Sequence, residues 1–358
     1  MKKIEKRKAD HIQATLEGDV ASSHNYWDDI KLVHDALPEV DLDEIDTSAI
    51  VLGKKLSAPL MVTAITGGYS EAEKINRNLA EACAELRIGL GIGSQRAALE
   101  KGDRKSYAII KDYDVPLKVG NIGAPQLIAQ KNKRAFGAED ARKAMDMIGA
   151  DVVAVHFNFL QEVAQPEGDT RAKGCYDAIR SLAREVPIMV KETGAGISRD
   201  VAMRLKGIGI RGLDISGTGG TSFSKVEAVR SRAMGDQRCS AIGETFGEWG
   251  IPAPVSVMWA NVGLPIIASG GVVDGLQAAK SIVVGAQCAG TARAVLKEAL
   301  VSSKAVEDKL RLMLDELRAA MFLTGSANVN ELASKDFILT GAAREWASCI
   351  KEGQQWMF

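Results

Sequence analysis

Short, nearly continuous apolar runs recur along the chain, and each ends in small or polar residues. They occupy residues 59–66, 88–96, 116–121, 151–158, 187–192, 213–220, 265–271 and 287–293. Runs that stay apolar, rather than alternating with polar residues, mark strands buried on both faces, as in a parallel sheet. Segments with helical periodicity separate them, so strand and helix alternate. Eight such units between residues 58 and 301 match the roughly 250 residues of a (β/α)8 TIM barrel, an α/β fold. In that fold the C-terminal ends of the strands share one site. Thr66, Ser94, Asn121, His156, Lys191, Ser216, Gly271 and Ala292 are therefore expected to meet around one ligand.

The pattern divides the single domain, residues 1–358, into an N-terminal extension (1–57), the barrel (58–301) and C-terminal helices (302–358). Ser70 reads as the N-cap of the first barrel helix, with Glu73 as its capping-box partner. Residues 272–284 read as the helix after strand seven. Leu310, Leu314, Leu317 and Met321 form the apolar stripe of a helix over 303–321. Residues 346–358 read as a last helix and tail. About 30 residues, 221–254, separate strand six from its helix and are rich in Gly, Ser and charge. A connection that long is usually functional, and this one reads as a lid loop over the site.

Composition narrows the class. The net charge is −1 and the pI about 6.5, so no global field draws nucleic acid or anionic lipid. Neither nucleic acid nor membrane is an expected partner. The N-terminus is charged and lacks the apolar core of a signal peptide, and no run reaches the length of a membrane span. Five scattered cysteines with no C-x-x-C pair fit reduced thiols, and a cytoplasmic protein, better than a disulfide framework.

Three clusters of candidate chemistry stand at the strand ends. Gly270-Gly271, with Val272 and Val273, follows strand seven. Gly285 and then Ala292-Arg293 flank strand eight, and Gly217 to Thr221 follows strand six. Loops after strands seven and eight are the usual phosphate site of this barrel, where glycine lets backbone N–H groups approach oxygen. Each glycine pair alone could be only a tight turn. The second cluster is Ala64, Ile65, Thr66, Ser94, Asn121 and Lys191. A flavin ring needs donors and acceptors along its pyrimidine edge and a cation near it, which Lys191 would supply. The other reading of Lys191 is a structural pair with Glu192 or another carboxylate. The third cluster is His156, Asn158, Gln161 and Glu162. His156 and Asn158 point the same way at period two. Glu162 suits Mg²⁺, which takes oxygen ligands from one or two carboxylates and from substrate phosphates. Arg7, Lys8 and Arg96 would balance a diphosphate, although Arg7 and Lys8 read equally well as a solvated terminus.

Together these segments resemble the type 2, flavin-dependent isopentenyl-diphosphate Δ-isomerases. The specific part of the likeness is Gly-Ser-Gln-Arg at 93–96 and His-x-Asn-x-x-Gln-Glu at 156–162. Arg7-Lys8 with His11, Ile65-Thr-Gly-Gly, Val190-Lys191-Glu-Thr-Gly, residues 217–221 and 268–271, and Ala292 continue it. It spans most of residues 5–300, and Ile65 stands where that family usually has Met. The resemblance implies FMN at the C-terminal face, held by Ala64, Ile65, Thr66, Ser94, Asn121, Lys191, Ser216, Thr221, Gly271, Val272, Val273, Ala292 and Arg293. It implies substrate contacts from Arg7, Lys8, Ser94, Gln95, Arg96, His156, Asn158 and Gln161, and Mg²⁺ at Glu162. Gln161, His156 and Lys191 are the expected catalytic residues. The implied reaction interconverts isopentenyl and dimethylallyl diphosphate in isoprenoid biosynthesis. Reduced FMN would act as acid and base, and NADPH would serve only as reductant. A homo-oligomer, tetramer or octamer, is also implied.

Other flavin and phosphate barrels fit less well. An FMN α-hydroxy-acid oxidase needs a histidine base late in the barrel, and all four histidines (11, 24, 34 and 156) lie in the first half. An inosinate-type dehydrogenase needs a cysteine in the loop after strand six, and residues 217–224 contain none. Glutamate-synthase-like domains need iron–sulfur cysteine spacings that are absent. A non-catalytic flavin or phosphate binder would not place polar residues at nearly every strand end.

Overall fold

A computed structural model describes residues 3–348 apart from 70, 102, 103 and 132; the side chains of 3–6, 17 and 101 are also outside the description. Eight parallel strands close into a barrel in chain order. They are β1 (Leu60–Val62), β2 (Gly89–Gly91), β3 (Lys118–Gly123), β4 (Val152–Phe157), β5 (Ile188–Glu192), β6 (Leu213–Asp214), β7 (Ile266–Ala268) and β8 (Cys288–Thr291). The ring closes where Ala289 pairs with Leu60.

The alternation of side chains along a strand sorts the barrel interior by height. Met61, Val119, Val152, Ala154, Met189, Ile267 and Cys288 form one buried apolar cluster with Val51 and Leu56. The last two belong to an antiparallel hairpin, Ala49–Val51 with Lys54–Leu56, which plugs the lower end. One pleat further along the same strands stand Thr63, Asn121, His156, Lys191 and Ser269, and all of them line one cavity. Five of the eight strands thus carry an apolar inward residue low and a polar one at or just past the C-terminal end. That distribution puts the chemistry on the upper face.

Several local expectations resolve differently. The first barrel helix, Ala72–Glu85, pairs Glu73 with Arg77 rather than with a cap, and Ser70 lies outside the described residues. The helix after β7 is Gly275–Val283, and Asp274 caps it by accepting from the Gln277 amide. The amphipathic helix runs Ser303–Phe322 with Leu310, Leu317 and Met321 buried. The last described helix is Gly341–Ser348, where Trp346 is 39% exposed beside Trp259. Trp356 and Phe358 lie outside the described residues. Cys83, Cys175, Cys239 and Cys288 are buried free thiols. Among the described residues no helix is long and apolar enough to cross a membrane.

The largest departure is residues 221–254, which form two helices rather than a loop: Phe223–Ala233 and Gln237–Thr245. The first has no clear apolar stripe because Ser224, Glu227, Arg230 and Ser231 are buried alongside Val226 and Ala228. Such a face is stable when its polar groups find partners: Ser224 meets Gly243 O, Arg230 meets Glu227 and Glu167, and Glu227 also reaches the distant His11 and Gln161.

Candidate functional site

The upper ends of the strands, the N-terminal helix Lys3–Glu17 and the helix Phe223–Ala233 enclose a cavity of about 810 Å³. Every residue expected from sequence to touch cofactor, substrate or metal lines it, with one exception. Gln95 is fully buried and turned into the wall. Its amide nitrogen donates to Ala144 O (2.8 Å), and its Oε1 accepts from the Asn121 amide (2.9 Å). It braces β3 rather than facing the cavity.

At one end the wall is mostly backbone. Gly270 and Gly271 adopt φ of +90° and +92°, a region that side chains resist. A Cβ on Gly271 would lie 2.6 Å from Gly219 O, and one on Gly220 would lie 2.5 Å from Gly271 N. The loops after β6 and β7 therefore pack backbone to backbone. Ser216 (φ +37°), Thr221, Val272, Val273, Ala292 and Arg293 complete this end. Gly285, by contrast, is a turn outside the cavity lining.

In the middle, Lys191 Nζ donates to Glu192 O (2.6 Å) and stands 3.7 Å from Asp214 Oδ2. It thus faces the cavity and also has a carboxylate neighbour. Asp214 in turn accepts from the Ser269 hydroxyl. The Glu192 carboxylate faces away and accepts from the amides of Thr193 and Gly194 (2.6 Å each), and burial raises it to about 7.

The other end is a network of side chains. The short helix Phe159–Ala164 after β4 presents Gln161 and Glu162. Glu162 accepts from Asn158 Nδ2 (2.9 Å), Gln165 Nε2 (3.3 Å) and the Asp169 amide (2.7 Å), and burial raises its pKa. Gln161 Nε2 donates to Glu227 Oε1 (2.8 Å), which also meets His11 Nε2 (2.8 Å); Arg230 Nη1 donates to Glu227 Oε2 (2.6 Å). Burial alone would raise Glu227, but His11, Arg230 and Gln161 outweigh it and hold the carboxyl at about 2. Arg7 stands 3.9 Å from Glu167. Arg96 is clamped by Glu100 and Asp169, each at 2.8 Å.

Two basic groups here are poised by burial. Lys8 Nζ donates to Ser94 O (2.9 Å), and burial, with Arg7 and Arg96 nearby, lowers it to about 7. Burial with Lys191, Lys8 and Arg96 lowers His156 to about 3, so its imidazole is neutral. Asn121 gives its Nδ2 to Ile92 O, so its Oδ1 accepts from His156 Nδ1 (2.7 Å). That leaves Nε2 as the acceptor of the neutral ring. An anion brought beside both groups draws protons onto them.

Sequence reasoning did not single out Glu227, Asp214, Ser22 or Asn25. Asp214 was visible as a carboxylate inside an apolar strand. Glu227 sat in a segment read as a loop, and the segment 18–29 carries no recognisable motif.

Comparisons with known proteins agree with this geometry. Residues 124–339 match the family model of FMN-dependent dehydrogenases. The isopentenyl-diphosphate delta-isomerase of Thermoplasma acidophilum is 46% identical over 344 residues, 96% of this chain and 99% of that protein. The protein of the same name from Methanothrix thermoacetophila is 44% identical, over 95% of this chain and 94% of that one. The chain belongs to the type 2 isopentenyl-diphosphate delta-isomerase family. Among solved structures, a mandelate oxidase variant with a C4a-OH-FMN adduct superposes with a TM-score of 0.61 at 16% identity, over 94% of this chain and 99% of that one. That likeness is one of fold alone.

The cavity suits the groups such a family implies. Its backbone end offers two interlocked glycine loops, a phosphate-type cradle. Near Glu162, the buried Asn158 Oδ1 has no hydrogen-bond partner. One carboxylate and one orphaned amide oxygen fit Mg²⁺ if substrate oxygens complete the shell. Among the described residues no group of three or more His, Cys, Asp or Glu could hold a metal without such help.

Proposed function

We propose that this chain interconverts isopentenyl diphosphate and dimethylallyl diphosphate by an allylic proton shift, in the service of isoprenoid biosynthesis. One observation carries the reading: a single cavity joins a backbone cradle for one phosphate to a cationic, carboxylate-bearing end for another. FMN would occupy the cradle and Lys191 region, contacting Ala64, Ile65, Thr66, Ser94, Asn121, Ser216, Thr221, Gly271, Val272, Val273, Ala292 and Arg293. The diphosphate would lie at Arg7, Lys8, Ser94, Arg96, His156 and Asn158, with Mg²⁺ at Glu162. Reduced FMN, when bound, supplies an electron-rich ring and an exchangeable ring proton; NADPH would serve to reduce it.

The protein's own groups do the rest. Lys8 and His156 gain protons as the diphosphate enters and so hold its charge. Glu162, aimed by Asn158, Gln165 and the Asp169 amide, would hold Mg²⁺, which would neutralise charge on the diphosphate. Gln161, fixed through Glu227, orients the five-carbon unit, and its carboxamide is placed to relay a proton. The N-terminal helix and the helix Phe223–Ala233 exclude water from a cation-like transition state, which water would quench. Lys191 steadies negative charge on the ring edge. We place the working enzyme in the cytoplasm as a homo-oligomer.

The test is an anaerobic assay of the FMN-loaded, dithionite-reduced protein with isopentenyl diphosphate and Mg²⁺. Dimethylallyl diphosphate is the expected product. A flavin-loaded protein that forms none overturns the reading.

A further inference from the structure

The N-terminal extension crosses both glycine loops, and its contacts there are specific. Ser22 N donates to Gly220 O (2.8 Å), and Ser222 N donates to Val20 O (2.8 Å). Ser22 Oγ accepts from the Gly219 amide (3.1 Å). Asn25 Nδ2 donates to Gly271 O (2.8 Å), while its Oδ1 accepts from the Trp27 amide (3.2 Å). Trp27 Nε1 donates to Gly270 O (2.9 Å), with the indole fully buried. The far end of the segment is tied down as well. Lys280 Nζ donates to Trp27 O (3.0 Å), and the Asp29 carboxylate accepts from the Ala343 amide at the start of the last helix (3.0 Å).

Three consecutive-loop carbonyls, on Gly220, Gly270 and Gly271, are thus fastened to one strap. In a trans peptide the C=O and the following N–H point in opposite directions, and among the described residues no peptide bond is cis. Fastening those carbonyls therefore turns the amides of Thr221, Gly271 and Val272 to the other side of their loops. Gly271 has no side chain to enforce that orientation, and at φ +92° it could relax in several ways. The strap removes that freedom before any anion arrives, which lowers the cost of binding.

We propose that Val20–Trp27 is a positioning strap for the cofactor's phosphate, with Asn25 and Trp27 as its working contacts; the proposal rests on the FMN reading above. Trp27 acts on a loop carbonyl and so through the loop, while Asn25 fastens the next carbonyl and also lines the cavity. Their removal should affect recognition of the phosphate and not of the flavin ring.

The test compares FMN with riboflavin, which lacks the phosphate. Apoprotein is titrated with each, following quenching of flavin fluorescence, for the wild type, Trp27→Phe and Asn25→Ala. Circular dichroism and the thermal midpoint confirm folding, and Asn25→Ala, at a half-buried position, serves if Trp27→Phe does not fold. Each variant should bind FMN about tenfold more weakly, the scale of a lost hydrogen bond at a partly buried carbonyl, with riboflavin affinity unchanged. Variants that keep the wild-type preference for FMN, or that lose FMN and riboflavin affinity equally, overturn the strap. A wild-type protein that binds FMN no better than riboflavin overturns the cofactor reading itself, and the strap with it.

Discussion

The two ends of the cavity are built from different material. The loops after β6 and β7 recognise through backbone and almost no side chain, with Gly219, Gly220, Gly270 and Gly271 packed against each other. The end around β4 presents side chains whose partners come from three separate regions: His11, Gln161, and the helix that carries Glu227 and Arg230. A backbone cradle is generic, so barrels of unrelated chemistry can share it. On the proposed function, the side-chain end would carry the reaction. This explains how the chain superposes on mandelate oxidases at 16–17% identity while its histidines occupy none of the late-barrel positions that oxidation of a hydroxy acid needs.

The comparison breaks if side-chain substitutions at the β4 end disturb flavin binding, or if cradle substitutions alter turnover alone. The largest expected effect is at Gln161. Gln161→Ala should lower kcat by about 10²- to 10⁴-fold, the range for a lost proton-transfer group, with FMN affinity retained. Steady-state kinetics beside a flavin titration checks both halves. Next is Glu227, which is fully buried. Glu227→Gln removes the carboxylate that meets His11 and Arg230, leaving Arg230 with Glu167 alone, and should cost about 1.5–3 kcal/mol in urea unfolding. Its folded pKa of about 2 lies below the ordinary 4.5. Its contribution is therefore complete above about pH 4.5 and is lost as the pH falls toward 2; the Gln variant should lack that acid dependence.

A smaller effect is expected at the cradle. Gly271→Ala forces a methyl group into a left-handed backbone against Gly219 O and Asn25. Stability should fall by about 1–3 kcal/mol, and FMN affinity should fall more than riboflavin affinity. The finest effect is at Lys8. Below about pH 7 the free enzyme carries it protonated; above, it is neutral. Affinity for inorganic pyrophosphate should therefore fall as the pH rises past 7, approaching about tenfold per unit. Calorimetry should show this slope relative to Lys8→Arg, whose guanidinium stays charged.

The backbone end was legible in the sequence because its information is local. Strand, glycine pair and loop sit next to each other at 265–273 and 213–221, and the barrel rule supplies their meeting point. Part of the β4 end was legible too, since His156, Asn158, Gln161 and Glu162 share one strand and the turn of helix after it. What stayed hidden depends on partners remote in the chain. Glu227 is 66 residues from Gln161 and 216 from His11, and its helix shows no clear amphipathic stripe because its buried residues mix polar and apolar types. Asn25 and Trp27 act on glycines 246 and 243 residues away. Gln95, placed by its motif among substrate contacts, proves to be a wall residue because its carboxamide finds Ala144 and Asn121.

The central claim is that the cavity moves a proton and not a net pair of electrons. Its most direct test is to follow the flavin spectrum and the product together, in deuterated buffer, under anaerobic conditions with Mg²⁺. The account predicts many turnovers of isopentenyl diphosphate to deuterium-labelled dimethylallyl diphosphate while the flavin stays reduced. Product that appears only in step with flavin oxidation, or an absence of deuterium in the product, would contradict it.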